Sequence, residues 1–570
     1  MNMKSNPILA NYETSSRTRN AVRVIAILCA AAAPCLATIV TYPAPSGAAL
    51  ATRFAVTVNG TALSVYNAQV NDPLNCSFAQ FDMAVGDMAN IVVTVPATFT
   101  SCKIRPASSG VTATASGNEI RFTLTKPAKL AITLNGNLDN PFFLFANPPE
   151  AAPPSQSDPN VRYFAAGIHN NPGTITLSSN QAVYLAGGAY ITGSCLFRAA
   201  SGARNITVRG RGIIDRHSAS GAVAQINGAR SVLFEGITVT DQPTMNWCMT
   251  FTGCDSVLVE NIKQMNGDHW SNDGVNFVSS QYCTINDCFI KTYDDCITIK
   301  GMSNPPRDVI HITATNCFLW DEWAHGVCIG AELRNCNVNN ITYRNIDIVK
   351  RGPCGGDNYH SALGIYNGDN AIVSNVRYED IRAELFDDCR QLINFNILNS
   401  TWSTTASRGW IRDIYFKNVN LIDDGGMGWT NILSGYDASH KVINLTFENL
   451  VIKGQSITNL TAGHFQVSNA DSIRFITTSA QRMDARPAPV STTWMRAGAD
   501  HGILRISIDR PGAHAVAVMN ATGALVHALR GTGPRTYRCP AADLGAGVHF
   551  VNAQAGIEHA GATIIINEGP

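Results

Sequence analysis

Ser256-Val257-Leu258-Val259-Glu260-Asn261-Ile262 is a short run of aliphatic and β-branched residues that stops at a polar pair. Asn340-Ile341-Thr342-Tyr343-Arg344-Asn345-Ile346 has the same form. Such pairs recur at Arg209-Gly210, Glu235-Gly236, Glu260-Asn261, Asn286-Asp287, Thr315-Asn316, Arg344-Asn345, Glu379-Asp380, Lys417-Asn418 and Glu448-Asn449, and their second members are 26, 25, 26, 29, 29, 35, 38 and 31 residues apart. A period in the twenties, made of short strands with no amphipathic helix between them, marks a coil that stacks on itself. A leucine-rich repeat shares that length but needs a leucine framework absent here, and a propeller needs longer blades joined by hairpins. The spacing predicts an all-β chain whose centre, residues 158–484, is a parallel β-helix, with the recurring Asn side chains bonded to one another along the axis.

The repeat is flanked by strands of another kind. Residues 50–150 hold alternating runs such as Phe54-Ala55-Val56-Thr57-Val58 and Ile120-Arg121-Phe122-Thr123-Leu124, with turn signals at Asn59-Gly60, Gly117-Asn118 and Asn135-Gly136. They read as an N-terminal β-sandwich of about 100 residues. After Arg486-Pro487 and Pro489 the repeat stops, and residues 490–570 read as a small C-terminal β-sandwich, an accessory or sorting domain. Its Gly547-Val548-His549-Phe550 strand resembles the Gly-Val-Tyr-Phe strand of secretion-sorting domains.

Lys+Arg 42 against Asp+Glu 42 leaves no net field to draw in nucleic acid or acidic membrane, so a neutral partner suits the chain. Residues 1–48 read as a signal peptide and leader: Arg17, Arg19 and Arg23 precede the apolar run from Val24 to Ala33, which is too short to span a bilayer. The expectation is an exported protein, secreted, periplasmic or at the cell surface, with no stable membrane span. Of 16 cysteines two lie in the leader, and the rest have no CxxC spacing, so no metal or cofactor site is expected from them. Cys76 with Cys102 and Cys283 with Cys288 are candidate disulfides.

The chemistry concentrates between Trp270 and Glu332, in Ser271-Asn272-Asp273-Gly274, Tyr293-Asp294-Asp295-Cys296 and Ala324-His325-Gly326. Asp273 falls 12 residues after its corner Asn261, Asp294 7 after Asp287 and His325 9 after Asn316, so all should meet on neighbouring coils about 4.8 Å apart. Asp273 and Asp294, 21 positions apart, are expected nearly above one another. Clustered carboxylates raise at least one pKa, which keeps a proton available for a leaving oxygen while another carboxylate, about 6.5–9.5 Å off in an inverting glycosidase, activates water. Asp294, Asp273, Asp295 and His325 are the candidate catalytic residues. Trp270, Trp320 and Trp323 are candidate sugar platforms, and Asn272, Lys300, Glu332 and Tyr366 candidate polar contacts. Asp387-Asp388-Cys389 repeats the phase of Asp294 three coils on, as a distal subsite or a turn. The insertions after Lys350 and near Trp402 to Trp410 are expected to wall the groove.

The motifs Asn-Asp-Gly, Asp-Asp-Cys and His-Gly-x-x-Ile-Gly-x-Glu resemble the polygalacturonase family, glycoside hydrolase family 28, from about Tyr163 to Ala480. The resemblance implies a right-handed parallel β-helix and inverting hydrolysis, with Asp294 as general acid, Asp273 and Asp295 activating water and His325 in support. Where that family carries Arg-Ile-Lys for the uronate carboxylate, this chain has Leu363-Gly364-Ile365-Tyr366-Asn367, with no cation. A sandwich before the helix is similar to the dextranase and isopullulanase family, glycoside hydrolase family 49. The expected substrate is therefore a neutral, α-glucan-like poly- or oligosaccharide, with a pectin-type polygalacturonase as alternative. A polysaccharide lyase, with Lys300 as base beside a calcium-binding acid cluster, or a non-catalytic glycan-binding solenoid share the fold. Sugar, linkage, mode of cleavage and oligomeric state are not legible.

Overall fold

The computed structural model describes residues 39–566 apart from 69–74, 218, 220, 242–246, 353–359, 387–390, 427, 478–494, 501–502, 509–512, 520–524, 541–546 and 556–557. The Val24–Ala33 apolar run, most of the insertion after Arg351 and the Asp387-Asp388-Cys389 run lie outside the described residues. Among the described residues the regular elements are strands, apart from one 3₁₀ turn at Ala107–Ser109, and the centre is a right-handed parallel β-helix. A twenty-stranded sheet bends around two faces and an eleven-stranded sheet closes the third.

The polar pairs are the corners of this coil. Asn261, Asp287, Asn316, Asn345, Asp380, Asn418 and Asn449 all adopt φ between 50° and 57°, a left-handed bend that Asn and Asp accept because their short polar side chains bond locally. Strand register runs Val208–Phe234–Val259–Ile285–Ala314–Tyr343–Tyr378–Phe416–Phe447, so coil lengths equal the spacing of the pairs. The last of these residues stack in the core, with Tyr378–Phe416 centroids 4.9 Å and Phe416–Phe447 4.5 Å apart.

The Asn ladder forms as expected. Asn316 Nδ2 donates to Asn286 Oδ1 at 2.8 Å, and Asn345 Nδ2 to Asn316 Oδ1 at 2.6 Å. Asn316→Ala removes both bonds and leaves a Cβ residue in the left-handed bend, so it is expected to lower unfolding free energy by about 1–3 kcal/mol, read from the urea midpoint at constant slope.

The N-terminal sandwich pairs a six-stranded with a five-stranded sheet. Asn59-Gly60 and Asn135-Gly136 supply the two positive φ values a tight hairpin needs. Val40–Thr41 already pairs with Cys76–Asp82, so residues expected in the leader belong to the first sheet. Two small antiparallel sheets, of three and four strands, form the C-terminal region. The twelve described cysteines are free, and Cys254, Cys283, Cys288 and Cys317 pack as small apolar groups inside the coil; neither expected disulfide forms.

The sandwich docks on the coil through a second core. Phe143 meets Phe289 at 4.6 Å and the edge of Trp320 at 5.4 Å. Trp320 is therefore fully buried and is no sugar platform. Two buried ion pairs cross the same interface, Arg211–Asp82 at 2.9 Å and Arg105–Glu384 at 3.0 Å.

Candidate functional site

The acids stand in turns that enter successive strands of the eleven-stranded sheet, Val275–Val278, Ile297–Gly301 and His325–Leu333. Val275 pairs with Ile297 and Ile297 with Val327, so two residues earlier on each coil Asp273, Asp295 and His325 form one column. Backbone bonds fix it: Gly274 N–H to the Asp295 carbonyl at 2.8 Å and Cys296 N–H to the His325 carbonyl at 2.9 Å. Counting from the corners aligned Asp273 with Asp294; the register instead puts Asp295 there, because the turns after the corners differ in length. A Cβ at Gly274 would come within 2.3 Å of the Cys296 carbonyl, which explains the glycine after Asp273.

One oxygen from each of Asp273, Asp294 and Asp295 lies within 4.8 Å of the others. Oxygens come this near because adjacent coils are only one strand spacing apart. Asp295 likewise shares such a knot with His325 and Cys328. The three carboxylates are close enough to share a cation, and the same spacing serves a shared proton.

Asp294, half-buried, is pushed up to about 6 by burial and by Asp295, although the Ser271 backbone N–H donates to its Oδ2. Burial would also raise Asp295, but His325, whose Nδ1 lies 2.5 Å from Asp295 Oδ1, outweighs it and holds that carboxyl below the usual range. For His325 burial opposes the charge, while Cys328 and Asp295 more than restore it, so the imidazole stays protonated well above its ordinary range. Asp273 is raised by burial and by Asp294, against the pull of Lys300 at 3.9 Å. Neighbouring residues thus hold opposite protonation states at one point.

Around the acids the expected contacts divide. Trp270 is 56% exposed and stacks on His269. Trp323 lies half-buried against Tyr293 at 5.3 Å and His360 at 4.2 Å. Lys300 bonds Glu332 at 3.0 Å, and Tyr366 packs 5.0 Å from the His325 ring. Asn272, expected to meet a sugar, is instead fully buried: its Oδ1 accepts from Asn266 at 3.0 Å and its Nδ2 donates to the Gly267 carbonyl, fixing the turn that carries Asp273.

Residues 174–473, more than half of the chain, match the model of Glycosyl hydrolases family 28. The chain belongs to that family. Among curated proteins it is 25% identical over 228 residues to a polygalacturonase of Juniperus ashei, covering 38% of this chain and 40% of that one. An exopolygalacturonase of Zea mays is 24% identical over 189 residues, covering 32% and 43%. The chain spans about two fifths of the length of these relatives. Dex49A from Penicillium minioluteum shares the fold at 16% identity and TM-score 0.57, over 76% of this chain and 96% of that chain. This likeness extends beyond the region matched by the family 28 model.

Within the family 28 region, the strand Ser361–Asn367 lies beside the one that carries His325 and brings no cation to the groove. A Cβ at Gly364 would meet the His325 ring at 2.7 Å, so this position has no room for a side chain. Two contacts were missed from the sequence. Trp247, whose ring lies 4.8 Å from Lys300 Nζ, sits one coil before Asp273, and phasing the repeat backwards would have found it. His360 precedes the strand residue paired with His325, but the insertion before it hides that phase.

Proposed function

We propose that this chain is an exported glycoside hydrolase that cleaves a polysaccharide by direct, inverting attack of water. The observation that carries the reading is the convergence of Asp273, Asp294 and Asp295, one oxygen of each within 4.8 Å of the others, with His325 Nδ1 2.5 Å from Asp295 Oδ1. Asp294 gives its proton to the leaving glycosidic oxygen. Asp295, kept ionised by His325, takes a proton from the water as its oxygen bonds the anomeric carbon and the glycosidic bond breaks. Asp273, expected with Asp295 as the pair that activates water, keeps its own proton and orients the water by hydrogen bonding. Inversion rests on the family resemblance and on the third carboxyl that holds the water.

Lys300 cannot serve as a lyase base: burial favours its neutral form, but Glu332 and Asp273 overcome this and keep it charged far above neutrality. The same pairing leaves it little attraction for a uronate. With no cation on Ser361–Asn367, a neutral glucan is the leading substrate. The names of the two curated relatives favour polygalacturonate as the second. Incubation with dextran, pullulan and polygalacturonate, followed by reducing-end assay, tests this: release from a glucan supports the neutral reading, and release from polygalacturonate alone overturns it.

The pH dependence follows in sign. Activity needs Asp294 protonated, so kcat/KM should fall as pH rises through about 6. It also needs Asp295 ionised, and because that carboxyl is held low, the acidic limb should lie below the ordinary carboxylate range. A buffer series measuring initial rates checks both limbs.

A further inference from the structure

Among the described residues, the large aromatic side chains that stand about half exposed are Trp270, Trp402 and Tyr436. All three lie on turns entering or leaving strands of the eleven-stranded sheet, the sheet that carries the acids. Trp402 follows Gln391–Ile397 and Tyr436 follows Thr430–Ser434, on the edge where Lys300 and Tyr366 end their own strands. Register connects that edge coil by coil, Ala331 to Asn367, Tyr366 to Asn396 and Asn396 to Ser434. From the strand after Asp295, Trp402 is three coils away and Tyr436 four, about 14 and 19 Å along the axis.

Exposure of two aromatic rings costs solvation, and both are held in place. Asp369, fully buried, accepts from the backbone N–H groups of Thr404 and Thr405 at 2.7 and 2.8 Å and from the Thr405 hydroxyl at 3.0 Å. Its other oxygen accepts from Leu333 N–H, next to Glu332. The turn of Trp402 is closed by a Ser400 N–H bond to Ser403 Oγ at 3.0 Å. Tyr436 sits on a hairpin closed by Asp437, which accepts from Ser439 N–H at 2.7 Å and pairs with His440 at 2.8 Å. A loop fixed before binding loses little entropy on binding.

We propose that Trp402 and Tyr436 are distal stacking platforms, so that the groove takes an extended polysaccharide chain reaching three to four coils from the acids. Rings of this kind pair their flat faces with the C–H faces of sugars while polar neighbours hold the hydroxyls. This rests on the hydrolase reading above, and the test separates the two.

Kinetics are measured on dextran and polygalacturonate, each as polymer and as trisaccharide. Trp402→Ala and Tyr436→Ala are each expected to raise KM on the hydrolysed polymer about tenfold and on its trisaccharide less than twofold, with Trp402→Phe restoring most of the difference. Equal change on both lengths, or none on the polymer, overturns the proposal. Affinity electrophoresis of Asp294→Asn protein in gels containing either polymer reads binding without turnover. Retardation lost in the added Trp402→Ala substitution supports the platform even if no glycan is hydrolysed; retardation that persists, or none by either polymer, refutes it.

Discussion

Asp294→Asn is expected to lower kcat by about 10²- to 10⁴-fold while glycan affinity stays within a few-fold, because an amide keeps the shape and cannot give up a proton. Asp294 is the acid best placed for this: it is half-buried, whereas Asp273 and Asp295 are buried. The substitution also removes one of the charges that raise Asp273, so Asp273 should titrate lower in the variant. A leaving group that needs no protonation should recover part of the rate. Initial rates on an aryl glycoside with a good leaving group, compared with the natural linkage, measure that recovery. Equal loss on both would mean that Asp294 has another role.

Arg211→Ala is expected to cost about 3–5 kcal/mol of stability, because it leaves the buried Asp82 carboxylate without its cation, held only by the Tyr42 hydroxyl that donates to its Oδ2 at 2.9 Å. Arg211 Nε lies 3.0 and 2.9 Å from the two Asp82 oxygens, and its Nη2 donates to the Pro148 carbonyl at 2.8 Å. Both side chains are almost fully buried. The double substitution Arg211→Met with Asp82→Leu should recover much of the loss, since two apolar groups need no pairing. Urea titration of the three proteins gives the comparison.

The coil was legible because each turn needs a left-handed corner, few residue types accept it, and they recur in phase. Convergence of the acids followed from that phase alone. The pairing of Asp273 with Asp295 rather than Asp294 was not legible, because stretches of 12, 8 and 9 residues, each a strand followed by a turn, separate Asp273, Asp295 and His325 from their corners. Nor was the docking interface: Phe289, Phe318 and Trp320 face outward on the coil, and only the sandwich makes that face a core. Asn272 looked like a ligand because it adjoins Asp273; its burial is decided by Asn266 and Gly267 on the preceding turn.

The most direct test follows the anomeric configuration of the first product by proton NMR in the opening minutes of hydrolysis. Water attacking opposite the bond that Asp294 protonates predicts a product of inverted configuration. A product of retained configuration would mean that one of the buried carboxylates forms a covalent intermediate, and would contradict the account.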